Sequence, residues 1–156
     1  TQRIDVSWCL KSERGTRIIP EGTIKGALFV QTPDFVQVTA VGYFTKLNIH
    51  SDDADRELDP NGTDMRGQVV DPLNLCEPFY FTPLQGFIEG SIFCFRACDP
   101  AGTTGEKYCQ PINGTPGCEL NMPTNYDAGV FESCLGDSGK VRCLLGSFTL
   151  LEQYDD

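Results

Sequence analysis

The sequence predicts a mainly β fold: a single-domain antiparallel sandwich or barrel over residues 1–156, with an irregular, disulfide-rich C-terminal third. Three observations predict it. Sixteen Gly and ten Pro are scattered through the 156 residues, which disfavours long helices and suits short strands with turns. Segments rich in β-branched and aromatic residues alternate in polarity, most clearly from Phe35 to Val41. Finally, seven of the eight cysteines fall between residues 76 and 143, in the part of the chain with the weakest periodicity.

Taken in order, Thr23 to Gln31 reads as a strand that ends at the turn Thr32-Pro33-Asp34. Phe35 to Val41 reads as the next, with Val36, Val38 and Ala40 on one face. After Gly42, Tyr43, Leu47 and Ile49 alternate with Lys46 and Asn48, which predicts a further strand. Phe87 to Arg96 and Phe148 to Leu151 are the later candidates. Between them, Pro100 to Asp127 is rich in Gly, Pro and Asn and reads as a disulfide-pinned loop with one helical turn near Lys107-Tyr108-Cys109. No internal repeat or low-complexity tract interrupts this pattern.

Composition narrows the function classes. The 12 Lys and Arg against 22 Asp and Glu give a formal net charge of −10, which excludes a large phosphate-binding surface and hence a nucleic-acid binder. The longest apolar runs, such as Ala27-Leu28-Phe29-Val30, are four residues, too short to span a bilayer. A hydrophobic fraction of 40% is enough to build a core.

The eight cysteines are Cys9, Cys76, Cys94, Cys98, Cys109, Cys118, Cys134 and Cys143. Metal knuckles need short paired spacings, and the chain has no C-x-x-C and a lone histidine, His50. Disulfides, and therefore an oxidising compartment, are the expectation. Eight cysteines allow 105 pairings. If Cys94 and Cys98 sit on one strand, their Cα atoms lie roughly 13 Å apart, beyond the limit of about 7 Å for a bridge. They are expected to pair elsewhere, and Cys9 to tie the N-terminal segment to the C-terminal half. Asn61-Gly62-Thr63 is an N-glycosylation sequon; Asn113-Gly114-Thr115 is a weaker one because Pro116 follows it. A chain starting at Thr1 without an apolar leader reads as a mature secreted protein, extracellular or in the cell wall.

Three constellations could carry chemistry. Cys134-Leu135-Gly136-Asp137-Ser138-Gly139 resembles the nucleophile segment of chymotrypsin-like serine proteases, with His50 upstream. Against it, His50 lies in Asn48-Ile49-His50-Ser51, the motif continues into Lys140, and 18 residues after Ser138 are too few to close a double barrel. Four turn formers between cysteine-anchored segments explain the motif more simply. The stretch from Ser51 to Asp64 offers Asp53, Asp55, Glu57 and Asp59 at alternate positions as calcium ligands. Its glycine and closing glutamate do not fit an EF-hand loop, and a solvated acidic loop is the simpler reading. Trp8, Phe79-Tyr80-Phe81 and Phe93-Cys94-Phe95 could stack on sugars, though strand aromatics are more often core; Tyr126 and Asp127 stand in a polar loop. No phosphate-binding glycine loop or metal-hydrolase H-E-x-x-H occurs.

The C-terminal run Phe93-Cys94-Phe95-Arg96-Ala97-Cys98-Asp99-Pro100, followed by Tyr108-Cys109-Gln110, Gly117-Cys118 and Asn121 to Cys134, resembles a family of secreted cysteine-rich fungal proteins found mainly in basidiomycetes. Trp8-Cys9-Leu10, Thr16 to Pro20, Thr32 to Thr39 and Glu57-Leu58-Asp59-Pro60 extend the resemblance over most of the chain. It implies export and a fungal source, implies no activity, and assigns Gly136-Asp137-Ser138-Gly139 to this family's own pattern. Cys76 and Cys143 lie outside the resembling segments and are expected to bridge each other. The expectation is a non-enzymatic extracellular or cell-surface protein that needs no cofactor. It would bind cell-wall polysaccharide or a protein partner, or associate with itself as a homo-oligomer. The alternative is a secreted serine hydrolase using Ser138.

Overall fold

The longest uninterrupted β pattern of the sequence, on either side of Pro33, forms the centre of the sheet. A computed structural model describes residues 8–12, 17–51, 56–57, 84–99, 108–109, 117–137, 140–143 and 146–149. Two short strands, β1 (Trp8–Cys9) and β2 (Arg17–Ile18), pair in parallel as a separate small sheet. The main sheet contains β3 (Ile24–Gln31), β4 (Phe35–Gly42), β5 (Arg56–Glu57), β6 (Leu84–Glu89), β7 (Ile92–Cys98), β8 (Phe131–Gly136), β9 (Lys140–Cys143) and β10 (Gly146–Thr149). Their spatial order is β10-β9-β8-β3-β4-β7-β6-β5. Every pair is antiparallel except β3 with β8. The mainly β class and the disulfide-rich later part are as the sequence predicts; the sheet is open and does not close into a barrel.

Turn chemistry sets the central hairpin. Thr32 Oγ1 accepts from the backbone N–H of Phe35 at 3.0 Å and Asp34 at 3.3 Å and donates to Phe35 O at 3.0 Å, while Pro33 presets its own φ. β8 enters in parallel because the chain returns across Gly26: Ala27 N–H donates to Val130 O at 2.8 Å and Gly129 N–H to Lys25 O at 2.7 Å. A Cβ on Gly26 would stand 2.5 Å from Asp127 O, so this crossing requires glycine.

Two strand expectations are corrected. Tyr43 to Ile49 is not a strand: it holds a 3-10 turn, Phe44–Leu47, closed by Asn48 in the left-handed region at φ 63°. Phe44 and Leu47 are spaced by three, which suits a 3-10 turn as well as alternation suits a strand. Gly42 is where the chain leaves the sheet, with its Cα against the Thr23 carbonyl and Tyr43 N–H donating to that oxygen at 2.7 Å. Phe87 to Arg96 is two strands, β6 and β7, joined at Gly90-Ser91 with Gly90 at φ 54°. Gly-Ser between alternating segments is a two-residue hairpin signal. The polar loop also contains an unpredicted helix, α1 (Gly117–Asn121), while the expected helical turn is present at Tyr108.

The main sheet's inner face carries Leu28, Val30, Phe35, Phe87, Cys94, Cys98 and Cys134, all buried. Tyr108, Cys109, α1 and Met122 cover it. Val36, Val38 and Ala40 do share a face, but it is the opposite one.

Candidate functional site

Three bridges fasten the cover to the sheet or strand to strand: Cys94–Cys118, Cys98–Cys109 and Cys134–Cys143. Cys94 and Cys98 thus pair away from each other, as the strand geometry requires. The expected Cys76–Cys143 bridge is wrong, because Cys143 lies directly across the β8–β9 ladder from Cys134, with Cα atoms 4.6 Å apart. Cys9 is also disulfide-bonded, and its partner lies outside the described residues.

Beneath the cover lies a buried cation. Arg96 is 1% exposed and stands opposite Gln37 in the β4–β7 ladder. Its Nε and Nη2 donate to Gln37 Oε1 at 2.9 and 2.6 Å, Nη1 to Tyr108 O at 2.8 Å, and Nη2 also to Asn121 O at 3.2 Å. The guanidinium sits 4.7 Å from the centre of the Phe35 ring. Carbonyl oxygens and an aromatic face are the environment that a desolvated guanidinium needs. This explains why β4 turns Gln37 inward, where alternation would place an apolar residue. Burial pushes the Tyr108 hydroxyl pKa up from 10.0, and the nearby Asp34 carboxylate adds to the effect.

The outer face is different in kind. The ladders place Phe131, Ala27, Ala40, Phe93 and Ile88 in one row. Ser133, Phe29, Val38, Phe95 and Gly86 form the next, and Leu135, Gln31, Val36 and Ala97 the third. The third row continues into β9, where Arg142 stands opposite Leu135. The 3-10 turn covers one corner, through Phe44, Leu47 and Ile49 packed against Ala40, Ile88 and Phe93, with the Phe44 and Phe93 rings edge-on at 6.3 Å. Toward β8 the face is open: Phe29 is 38%, Phe131 63% and Leu135 69% exposed.

The residues singled out from the sequence do not converge. Asp137 follows β8 at the sheet end marked by Gln31 and Val36, and its charge reaches Tyr108. His50 is exposed at the other end, where Ser51 O lies 3.5 Å from the position a Cβ on Gly90 would take. Strand spacing separates the two ends by about 20 Å, so Asp137 and His50 do not meet. Ser138 itself lies outside the described residues, in the segment joining β8 to β9 between the bridged Cys134 and Cys143. Asn61, Asn113, Asp53, Asp55 and Asp59 also lie outside them, as do Cys76 and Phe79 to Phe81. Glu57 is placed in β5, its backbone paired with Phe87.

Trp8 is half-buried beneath Arg17, whose guanidinium is 5.5 Å from the ring. Tyr126 is structural: its hydroxyl hydrogen-bonds to Met122 O at 2.8 Å and Cys118 O at 3.3 Å, holding the chain after α1. Asp127 closes an Asx turn through its N–H to Asn125 Oδ1 at 2.8 Å. Among the described residues, Glu132, Cys134 and Cys143 are the group whose atoms lie close enough to hold a metal ion. Both sulfurs are in a disulfide, so the thiolates that a metal requires are not available. No helix among the described residues is long and apolar enough to cross a membrane.

No model of a known protein family matches the chain, and no solved structure does. It is similar to two curated proteins of Mycosarcoma maydis. The appressorium protein ROW1 is 39% identical over 156 residues, 95% of this chain and 36% of ROW1. The appressorium protein ROW2 is 41% identical over 144 residues, 89% of this chain and 49% of ROW2. The chain therefore spans between about a third and a half of the length of these relatives. Bridged through its cysteines and matched across nearly its whole length, the chain fits a cysteine-rich family of fungal proteins.

Proposed function

We infer that this is a non-catalytic, exported protein of the fungal cell surface that works by binding, in a structure used for infection. One observation carries the reading: chains similar over 95% and 89% of this sequence are named appressorium proteins. The disulfide framework supports export, since bridges of this kind persist in oxidising compartments. The separation of Asp137 from His50 supports a role without serine chemistry. Wall polysaccharide is the proposed ligand class, in keeping with a surface-exposed, bridged scaffold outside the cell.

Co-sedimentation of the purified protein with insoluble chitin and β-glucan tests the ligand. Retention on at least one is expected; recovery in the supernatant with both removes wall polysaccharide from the proposal. Treatment with a fluorophosphonate probe tests the rest. No labelling is expected, whereas labelling lost in Ser138→Ala would establish a serine hydrolase.

A further inference from the structure

We propose that Lys25, Lys46 and Tyr43, gathered where β3 begins and β4 ends, form a binding site for a carboxylated sugar, the uronic-acid unit of an acidic polysaccharide. Three departures from regular backbone bring them together. The β3–β4 register shifts between Ile24 and Gly26, which leaves Lys25 without a partner across the ladder. A bulge of this kind re-aims the side chain of its extra residue. At Gly42 the chain leaves the sheet, and Tyr43 stands just beyond it with 59% of its surface exposed. The 3-10 turn that follows places Lys46 one turn on, its backbone N–H donating to Tyr43 O at 3.1 Å.

The two lysines converge over Gly22. Lys46 Nζ and Lys25 Nζ lie 3.5 and 3.7 Å from the position a Cβ on Gly22 would take. Lys25 Nζ is also 5.2 Å from the centre of the Tyr43 ring, and Lys46 Nζ donates to Glu21 O at 3.0 Å. Ammonium groups this close repel each other. Yet among the described residues neither Glu21 nor Asp127, the acidic residues whose backbones run beside these lysines, forms an ion pair with them. In a chain of net charge −10 carboxylates are plentiful, so an unneutralised lysine pair points to an anion from outside. An ammonium carries three donors, and those not used on Glu21 O can reach one carboxylate from two sides through charge-assisted hydrogen bonds. Tyr43 belongs to none of the apolar clusters. Its exposed ring can stack on the C–H face of a sugar while its hydroxyl meets the sugar's hydroxyls. A simple anion would leave the ring unused and a neutral sugar would leave the charges unused; a uronic acid uses both. Screening over about 8 Å at physiological ionic strength confines the attraction to this corner of an otherwise acidic molecule.

The inference rests on the binding role proposed above and gives it a site, but chitin and β-glucan carry no carboxylate, so retention on them and binding here can each fail alone. Amide-resolved NMR titration of the full chain with tri-galacturonic acid tests it. Saturable shifts are expected at Gly22, Lys25, Tyr43 and Lys46, with a Kd of about 0.1–1 mM, and none there from neutral maltotriose or from hexaglutamate. Replacing both lysines, Lys25→Gln with Lys46→Gln, should weaken binding by about 10-fold or more, and Tyr43→Ala by about 5-fold. The same spectra read whether each variant is folded, and the location of the wild-type shifts decides the matter if one is not. No shift at these residues up to about 10 mM trisaccharide overturns the proposal, as does undiminished affinity in the folded double variant. Equal binding of maltotriose or of hexaglutamate also overturns it, assigning the site to neutral sugars or to acidic peptides.

Discussion

At Arg96 one side chain joins three parts of the fold: Gln37 on β4, Tyr108 in the cover and Asn121 at the end of α1. Removing a buried cation leaves its acceptors without donors, and each unmet buried polar group costs about 1–3 kcal/mol. Arg96→Met is therefore expected to lower stability by about 3–5 kcal/mol, read from the urea midpoint. Gln37→Leu, which leaves the guanidinium short of its best acceptor, should cost about 1.5–3 kcal/mol. An effect below 1 kcal/mol for Arg96→Met would mean that the cover does not depend on it. Tyr108 gives a pH dependence. Its hydroxyl pKa is raised by burial and by Asp34, so above pH 10 the unfolded chain loses this proton while the folded chain still holds it. The stabilising contribution is complete below pH 10 and declines as pH rises through the folded-state value. Tyr108→Phe should flatten the alkaline decline in melting temperature; an unchanged slope contradicts the assignment.

At the level of elements, the bridges differ in what they hold. Cys94–Cys118 closes a segment with a sequence separation of 24 and pins α1, while Cys134–Cys143 closes a separation of 9 between neighbouring strands. Loop-closure entropy predicts losses of about 3.5 and 2.7 kcal/mol on replacing each pair by alanine. Cover residues such as Met122 should gain hydrogen exchange only in the first variant. Equal exchange in both would place the cover's stability elsewhere. The hairpin at Pro33 was legible because Thr-Pro-Asp sits between two long alternating runs. The hairpin at Gly90-Ser91 carried an equally local signal, but Phe87-Ile88 and Ile92 to Phe95 read as one strand across it. The 3-10 turn at Phe44 was not legible, since a short apolar period of three and one of two overlap over Tyr43 to Ile49. The cysteine pairs depend on which strands are neighbours, and the parallel return of β8 beside β3, enabled at Gly26, cannot be seen from spacing.

Across the whole molecule the two faces of one sheet have different fates. The inner face is sealed by cysteines and a buried arginine; the outer face is covered at the corner of the 3-10 turn and exposes Phe29, Phe131 and Leu135 toward β8. The sequence contained a sign of this in β4, where Phe35 lies on one face and Val36 and Val38 on the other. Arg96, Gln37 and Thr39 lie on the inward face, and nothing in alternation announces a buried cation there. The proposed role away from catalysis depends on a rigid, fully oxidised framework formed outside the cell. Non-reducing peptide mapping by mass spectrometry, on protein recovered from the medium of the cells that produce it, tests this most directly. It should yield Cys94–Cys118, Cys98–Cys109 and Cys134–Cys143 with no free thiol. Reduced cysteines throughout, or Cys134 and Cys143 joined to other partners, would contradict it.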